Sequence, residues 1–211
     1  MKNHRIIFAT SNEGKMKEVR MILADLGLEI LSMKEAGILA DIVEDGKTFE
    51  ENACIKAGQI QKLAGGIVLA DDSGLEVDYL DGAPGIYSAR YMGEDTSYDI
   101  KNQAIIDKLA DAKGEERSAR FVCAIAAALP DGRLLTTRGT IEGQIGYEIV
   151  GDGGFGYDPI FYVPEFHATT AELTPEQKNA VSHRGKALRA MKNKLMRYFE
   201  VYEKDENIDR Q

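Results

Sequence analysis

The chain has 211 residues, 44% of them hydrophobic, enough to bury a core within one domain. A formal net charge of -9 argues against a general nucleic-acid backbone binder, which needs a basic face. No apolar run approaches the roughly 18 residues that span a bilayer, and two cysteines without paired spacing, Cys54 and Cys123, suggest neither a disulfide framework nor a zinc cluster.

Met1 to His4 lead towards a strand rather than a signal peptide, so a reduced, cytoplasmic protein with no nucleic-acid or membrane partner is expected. Arg5 to Ala9 form that short β-prone run, and beyond Thr10 to Lys15 the residues Met16, Val19, Leu23 and Leu26 fall on one face of a helix. Ser11 and Asn12 suit an N-cap, where backbone N–H groups and the positive end of the helix dipole point outward. A lysine in the first turn opposes that dipole, so Lys15 fits either a bound anion or an ordinary capped helix with a solvent-facing lysine. The spacing of a P-loop is absent.

Leu28 to Leu31 read as a second strand, followed by a loop to Gly46 that carries Asp41, Glu44 and Asp45. Thr48-Phe49-Glu50-Glu51 is a capping box opening a helix to about Leu63, which gives Glu51 a structural task. Glu44 has no such task and reads as a solvated loop acid or a ligand. Gly66 to Leu69 form a buried strand running into a tight turn, Ala70-Asp71-Asp72-Ser73-Gly74. Two adjacent carboxylates repel each other when poorly solvated, so this pair either holds a divalent cation or stays in water.

Leu75 to Tyr79 alternate as a further strand, and Gly82 to Gly85 turn the chain. Tyr87, Arg90 and Tyr91 are residue types frequent at interfaces, and Asp99 to Leu109 form an amphipathic helix. Pro130-Asp131-Gly132 joins two long extended runs, Ala119 to Leu129 and Arg133 to Ile141, into a hairpin, the antiparallel part of a mixed sheet. The glycine-dense Gly151 to Pro159 precede a strand at Ile160 to Val163, with Phe155 placed either to stack on a base or to anchor the loop. Thr174-Pro175-Glu176-Gln177 is another capping box, with Lys178 next. After Ser182-His183-Arg184-Gly185 a final helix buries Leu188, Met191, Leu195 and Phe199, and a charged tail follows. His183 reads as a structural histidine or a donor to a ligand.

Taken together, Ala9 to Lys15, Thr48 to Ala53, Ala70 to Leu75, Gly82 to Tyr91, Gly154 to Pro159, Ala171 to Thr174 and Ser182 to Arg184 resemble the inosine triphosphate pyrophosphatase family. The resemblance covers nearly the whole chain, and its specificity lies in the order and spacing of the pieces. It implies an α/β fold with a mixed, twisted central sheet and flanking helices, elongated and two-lobed, with the active site in the cleft. Residues 1–201 would form the domain and 202–211 a disordered tail.

The family also implies a homodimer that uses magnesium (Mg2+) to hydrolyse ITP, dITP and XTP to the monophosphate and pyrophosphate, cleansing the nucleotide pool. Carried onto this sequence, Glu44 and Asp72 bind the metal, Asp72 orients or deprotonates the attacking water, and Asp71 is at most a helper. Thr10, Ser11, Asn12, Glu13, Gly14 and Lys15 hold the triphosphate. Phe155 stacks on the base, Ser73, Gly156, Tyr157 and Asp158 complete the pocket, and Lys178, His183 or Arg184 donates to the 6-carbonyl of the base. One departure is Asp45, where relatives are expected to carry a small hydroxyl residue. The alternatives are a broader Maf-type nucleotide phosphohydrolase and a nucleotide-binding module without turnover.

Overall fold

The computed structural model describes residues 5–208, with side chains to 201. Seven strands form one sheet in the order β2-β1-β3-β4-β5-β6-β7. The strands are β1 (Arg5–Phe8), β2 (Glu29–Ser32), β3 (Ile67–Val77), β4 (Ser118–Ala128), β5 (Leu134–Ile145), β6 (Phe161–Val163) and β7 (Ala168–Thr169). β1 runs parallel to both β2 and β3, and every pairing from β3 onward is antiparallel. This is the mixed sheet with flanking helices expected from the sequence.

The helices are α1 (Glu13–Leu23), α2 (Phe49–Ala64), α3 (Tyr98–Lys108), α4 (Pro175–Val181) and α5 (His183–Ile208). The charged stretch set apart as a tail continues α5 as far as Ile208, and residues 1–4 and 209–211 lie outside the described residues.

Strand alternation sorts the core onto two faces. Ile67 and Leu69 of β3 join Met16, Val19 and Leu23 of α1 and Leu188, Met191 and Leu195 of α5 on one side. Val68 and Ala70 join Phe49, Ala53, Ala57 and Ile60 of α2 on the other. Alanines 124, 126 and 128 of β4 line that second face, and their small side chains let α2 lie close to the sheet. A third cluster, with Leu75, Ile105, Phe121, Ile141 and Phe161, fills the far half of the sheet beneath α3 and forms the second lobe. Each large aliphatic side chain fully buried in these clusters contributes roughly 1.5–3 kcal/mol.

Two local expectations are corrected. Ala70 to Gly74 are not a turn: β3 runs unbroken through them, with Asp71 opposite Ile125 and Asp72 opposite Ala124 of β4. Pairing along the whole length of β4 overrides the turn-like composition. At α2, Thr48 Oγ1 accepts from Glu51 N as a cap should, but the Glu51 carboxylate accepts from Lys47 N, one residue outside the expected box. The second box is complete, with Thr174 and Gln177 bonded reciprocally.

Candidate active site

The cleft opens where β1 stops. Ala9 N still donates to Leu69 O (2.7 Å), after which the chain leaves through Thr10 to Asn12 into α1, and β3 runs on without its parallel neighbour. Because α1 and α2 pack on opposite faces, the gap between β1 and β3 is a topological switch point, the usual place for a ligand in an open α/β sheet. Ser88 to Arg90, the start of α3 and the Phe155 to Asp158 loop also line the cavity, which is about 530 Å³.

Because adjacent residues of a strand point to opposite faces, Asp71 and Asp72 are separated by the sheet itself. Asp71 faces α1 and α5 and is 1% exposed. Lys15 Nζ lies 2.9 Å from it, Arg184 Nη2 3.3 Å, and Ser73 Oγ donates to it at 3.2 Å. Burial pushes this carboxyl up, but the Lys15, Arg184 and Lys56 charges outweigh burial and hold it well below the usual carboxylate range. Arg184 also donates to Glu18 and to Ser73 Oγ, and Lys178 bridges Glu18 (2.9 Å) and Asp158 (2.7 Å).

Asp72 faces α2 and the cleft. Asn52 Nδ2 donates to its Oδ2 and Ser73 N to its Oδ1, each at 3.0 Å. Lys56 Nζ passes it by and bonds Glu44 Oε1 (2.8 Å) and the Asp71 carbonyl (3.0 Å). Burial pushes the Asp72 carboxyl up to about 6, the nearby Glu44 charge adds to this, and Asn52 and Lys56 compensate only in part. Gly74, two residues on, faces the same way. A Cβ there would strike Gly85 O and come within 2.5 Å of Ser88 Oγ, so glycine lets the Gly85 to Arg90 segment lie directly on β3 beside Asp72.

Most of the residues singled out from the sequence meet here. Thr10, Ser11, Asn12 and Lys15 line the cleft from the α1 side, and Glu44, Asp72 and Ser73 form its floor. Phe155, Gly156, Tyr157, Asp158, Lys178, His183 and Arg184 line the remainder. Glu13 and Gly14 do not line it. Gly14 instead makes room for the Phe155 ring, whose Cδ1 would lie 2.8 Å from a Cβ at that position. The unfavourable place of Lys15 at the start of a helix is offset by its ion pair with Asp71, and the side chain still lines the cleft. Asn12 caps α1 by accepting from Lys15 N at 3.0 Å.

Three of these side chains have structural partners that the sequence did not reveal. Tyr157 is buried, and its hydroxyl donates to Ser88 O at 2.7 Å. Asp158 accepts from Phe155 N and Lys178 with one oxygen and from Thr170 Oγ1 with the other, which fixes the glycine-rich loop. His183 stacks on Phe121 at 4.9 Å between ring centroids, and its buried Nδ1 has no partner. Burial, then the Arg184 and Lys178 charges, keep its imidazole neutral at neutral pH.

Glu18, Asn52 and Lys56 escaped the sequence reading although each helps to hold the site. Asn52 and Lys56 had a signal: both fall on the stripe that Phe49, Ala53, Ala57 and Ile60 bury, where a polar residue needs a partner. Glu18 stands one turn beyond Lys15. Among the described residues no group of three or more His, Cys, Asp or Glu gathers as a metal cluster; the acids lining the cleft are Glu44, bonded to Lys56, Asp72, the exposed Glu94, and Asp158, bonded to Lys178.

The fold and cleft together define an α/β protein with a deep polar site at the end of its parallel strands. The Ham1 family model matches residues 6–194. A dITP/XTP pyrophosphatase of Exiguobacterium sibiricum is 50% identical, the match covering 90% of this chain and 96% of the relative. One of Clostridium perfringens is also 50% identical, with coverage of 90% and 97%. Among solved structures, a HAM1 protein from Coxiella burnetii superposes with a TM-score of 0.83 at 41% identity, covering 92% of this chain and 99% of that one. The Staphylococcus aureus Ham1 protein gives 0.81 at 41% identity, with coverage of 91% and 98%. The chain belongs to the Ham1 family.

Proposed function

We propose that this chain is a nucleoside triphosphate pyrophosphatase that hydrolyses deaminated purine nucleotides, ITP, dITP and XTP, to the monophosphate and pyrophosphate. The dITP/XTP pyrophosphatases among its relatives support this, since they match it over nearly their whole length. The observation that carries the chemistry is Asp72: a cleft carboxylate raised to about 6, ionised at neutral pH yet basic enough to accept a proton. In this reading Asp72 orients a water towards the α-phosphorus and takes its proton. The water oxygen bonds to phosphorus as the bond to the departing pyrophosphate breaks.

Glu44 and Asp72 suit magnesium, which takes hard oxygen donors and is held by one or two carboxylates together with water and substrate phosphates. When bound, the ion supplies charge neutralisation on the phosphates. Thr10 to Lys15 hold the triphosphate at the start of α1, with Glu13 and Gly14 contributing backbone only. Ser73 and Gly156 border the substrate, and Tyr157 and Asp158 fix the loop that presents Phe155 for stacking.

Base choice follows from donors. The Lys178 ammonium has three N–H groups and two carboxylate partners, so one is free for a 6-carbonyl oxygen. Arg184 is engaged on all sides and positions Ser73 and Glu18. His183, neutral, offers one donor and one acceptor. Adenine would turn an amino donor towards these donors and leave them unpaired.

The domain is taken as residues 1–201, which contains the family match. Two free cysteines fit a reducing cytoplasm, and no helix among the described residues is long and apolar enough to cross a membrane. The exposed Tyr87 and Met92 side chains support a homodimer.

Product analysis with ITP, XTP, dITP, ATP, GTP and dUTP plus magnesium tests the proposal. ITP should give IMP and pyrophosphate with kcat/KM at least ~100-fold above that for ATP. Comparable turnover of ATP and ITP would leave the broader phosphohydrolase.

A further inference from the structure

The cations of the cleft are nearly all neutralised by the protein itself. Lys15 is paired with Asp71 at 2.9 Å, Lys56 with Glu44 at 2.8 Å, Lys178 with Asp158 and Glu18 at 2.7 and 2.9 Å, and Arg184 with Glu18 and Asp71. Arg90 differs. It lines the cleft, yet among the described residues no carboxylate lies within ion-pair distance of it, and its guanidinium rests 5.0 Å from the centre of the half-exposed Tyr87 ring.

The backbone that carries Arg90 is fixed on three sides. Ser88 Oγ accepts from Leu75 N (2.9 Å) and donates to Gly85 O (2.6 Å). The Ser88 carbonyl receives the Tyr157 hydroxyl, and the Ala89 carbonyl receives the buried Lys101 ammonium, each at 2.7 Å. Gly74, in turn, clears the space that lets this segment sit against β3 beside Asp72. A rigidly held segment, packed on the strand that bears the reactive carboxylate, therefore presents an uncommitted guanidinium to the cleft.

A polyphosphate entering this cleft brings several negative charges to cations already compensated by carboxylates, so the uncommitted cation gains most from it. A planar guanidinium also fits two phosphate oxygens at once. We propose that Arg90 binds the terminal phosphates of the nucleoside triphosphate, the pair that departs as pyrophosphate, and offsets the charge that grows on them as the bond to the α-phosphorus breaks. This rests on the pyrophosphatase reading for its substrate, while the interaction itself is with a diphosphate anion.

Calorimetric titration with inorganic pyrophosphate and with IMP, in magnesium, tests it on wild type and Arg90→Ala, alongside steady-state ITP hydrolysis. Arg90→Ala should weaken pyrophosphate at least fivefold and raise KM for ITP, while IMP binding stays within twofold and the thermal midpoint is unchanged. A pyrophosphate loss below fivefold, or an equal loss for IMP, would overturn the proposal. If Arg90→Ala fails to fold, Arg90→Gln is judged by the same ratio. Should wild type release no pyrophosphate from ITP, the pyrophosphatase reading fails, and the pyrophosphate titration still decides the role of Arg90.

Discussion

Asp71 and Asp72 are neighbours on one strand, yet their surroundings share almost nothing. On the α1 and α5 face, Asp71 is closed off from solvent between a lysine and an arginine and is held ionised far into acid. On the α2 face, Asp72 meets the cleft with an amide, a backbone N–H and a nearby second acid, and its proton affinity is raised instead. A single step along β3 thus divides one acidic pair into a counter-ion that assembles the site and a group available for chemistry. Only a strand makes this division; a turn would leave both carboxylates in the same water.

The largest expected effect of breaking the contrast is on the rate. Asp72→Asn should lower ITP hydrolysis at least ~1000-fold, about 4 kcal/mol of barrier, while equilibrium binding of ITP changes less than tenfold. A variant that keeps wild-type turnover would remove Asp72 from the reaction.

A smaller effect sharpens the same contrast through pH. The folded Asp72 carboxyl titrates near 6 and the unfolded one near the ordinary value of about 3.9, so the native state holds the extra proton between them. Stability from this group is therefore complete below about pH 4 and is lost as pH rises through about 6. Asp71, held low, has the opposite sign: its contribution is present above about pH 4 and is lost only in stronger acid. In metal-free protein, urea unfolding from pH 4.5 to 8 should show wild type losing roughly 1–3 kcal/mol relative to Asp72→Asn. Parallel pH profiles for the two proteins would contradict the raised proton affinity.

Much of the fold was legible because its signals are local. Pro130-Asp131-Gly132 marks the β4–β5 hairpin, and Thr174 with Gln177 marks the start of α4, since each feature is made by residues three or four apart. The course of β3 was not legible for the converse reason. Asp-Asp-Ser-Gly has the composition of a turn, and what keeps it extended is β4, about 50 residues away.

The site followed the same division. Lys15, Glu44, Asp72 and Arg184 were marked as residues, but their pairings were not. The Glu18 to Arg184 pair closes over 166 residues of chain and Lys15 to Asp71 over 56, distances at which sequence spacing says nothing about contact. Lys15 was given to an incoming anion, and the structure gives it first to Asp71.

The central claim, that one acid assembles the site and its neighbour is held at a cost for chemistry, is tested most directly by unfolding metal-free Asp71→Asn and Asp72→Asn side by side at pH 8. Asp71→Asn should lose roughly 3–5 kcal/mol, because Lys15 is left without its carboxylate and the buried Arg184 keeps only Glu18, while Asp72→Asn should be as stable as wild type or more so. Equal losses in the two variants, or a larger loss for Asp72→Asn, would contradict it.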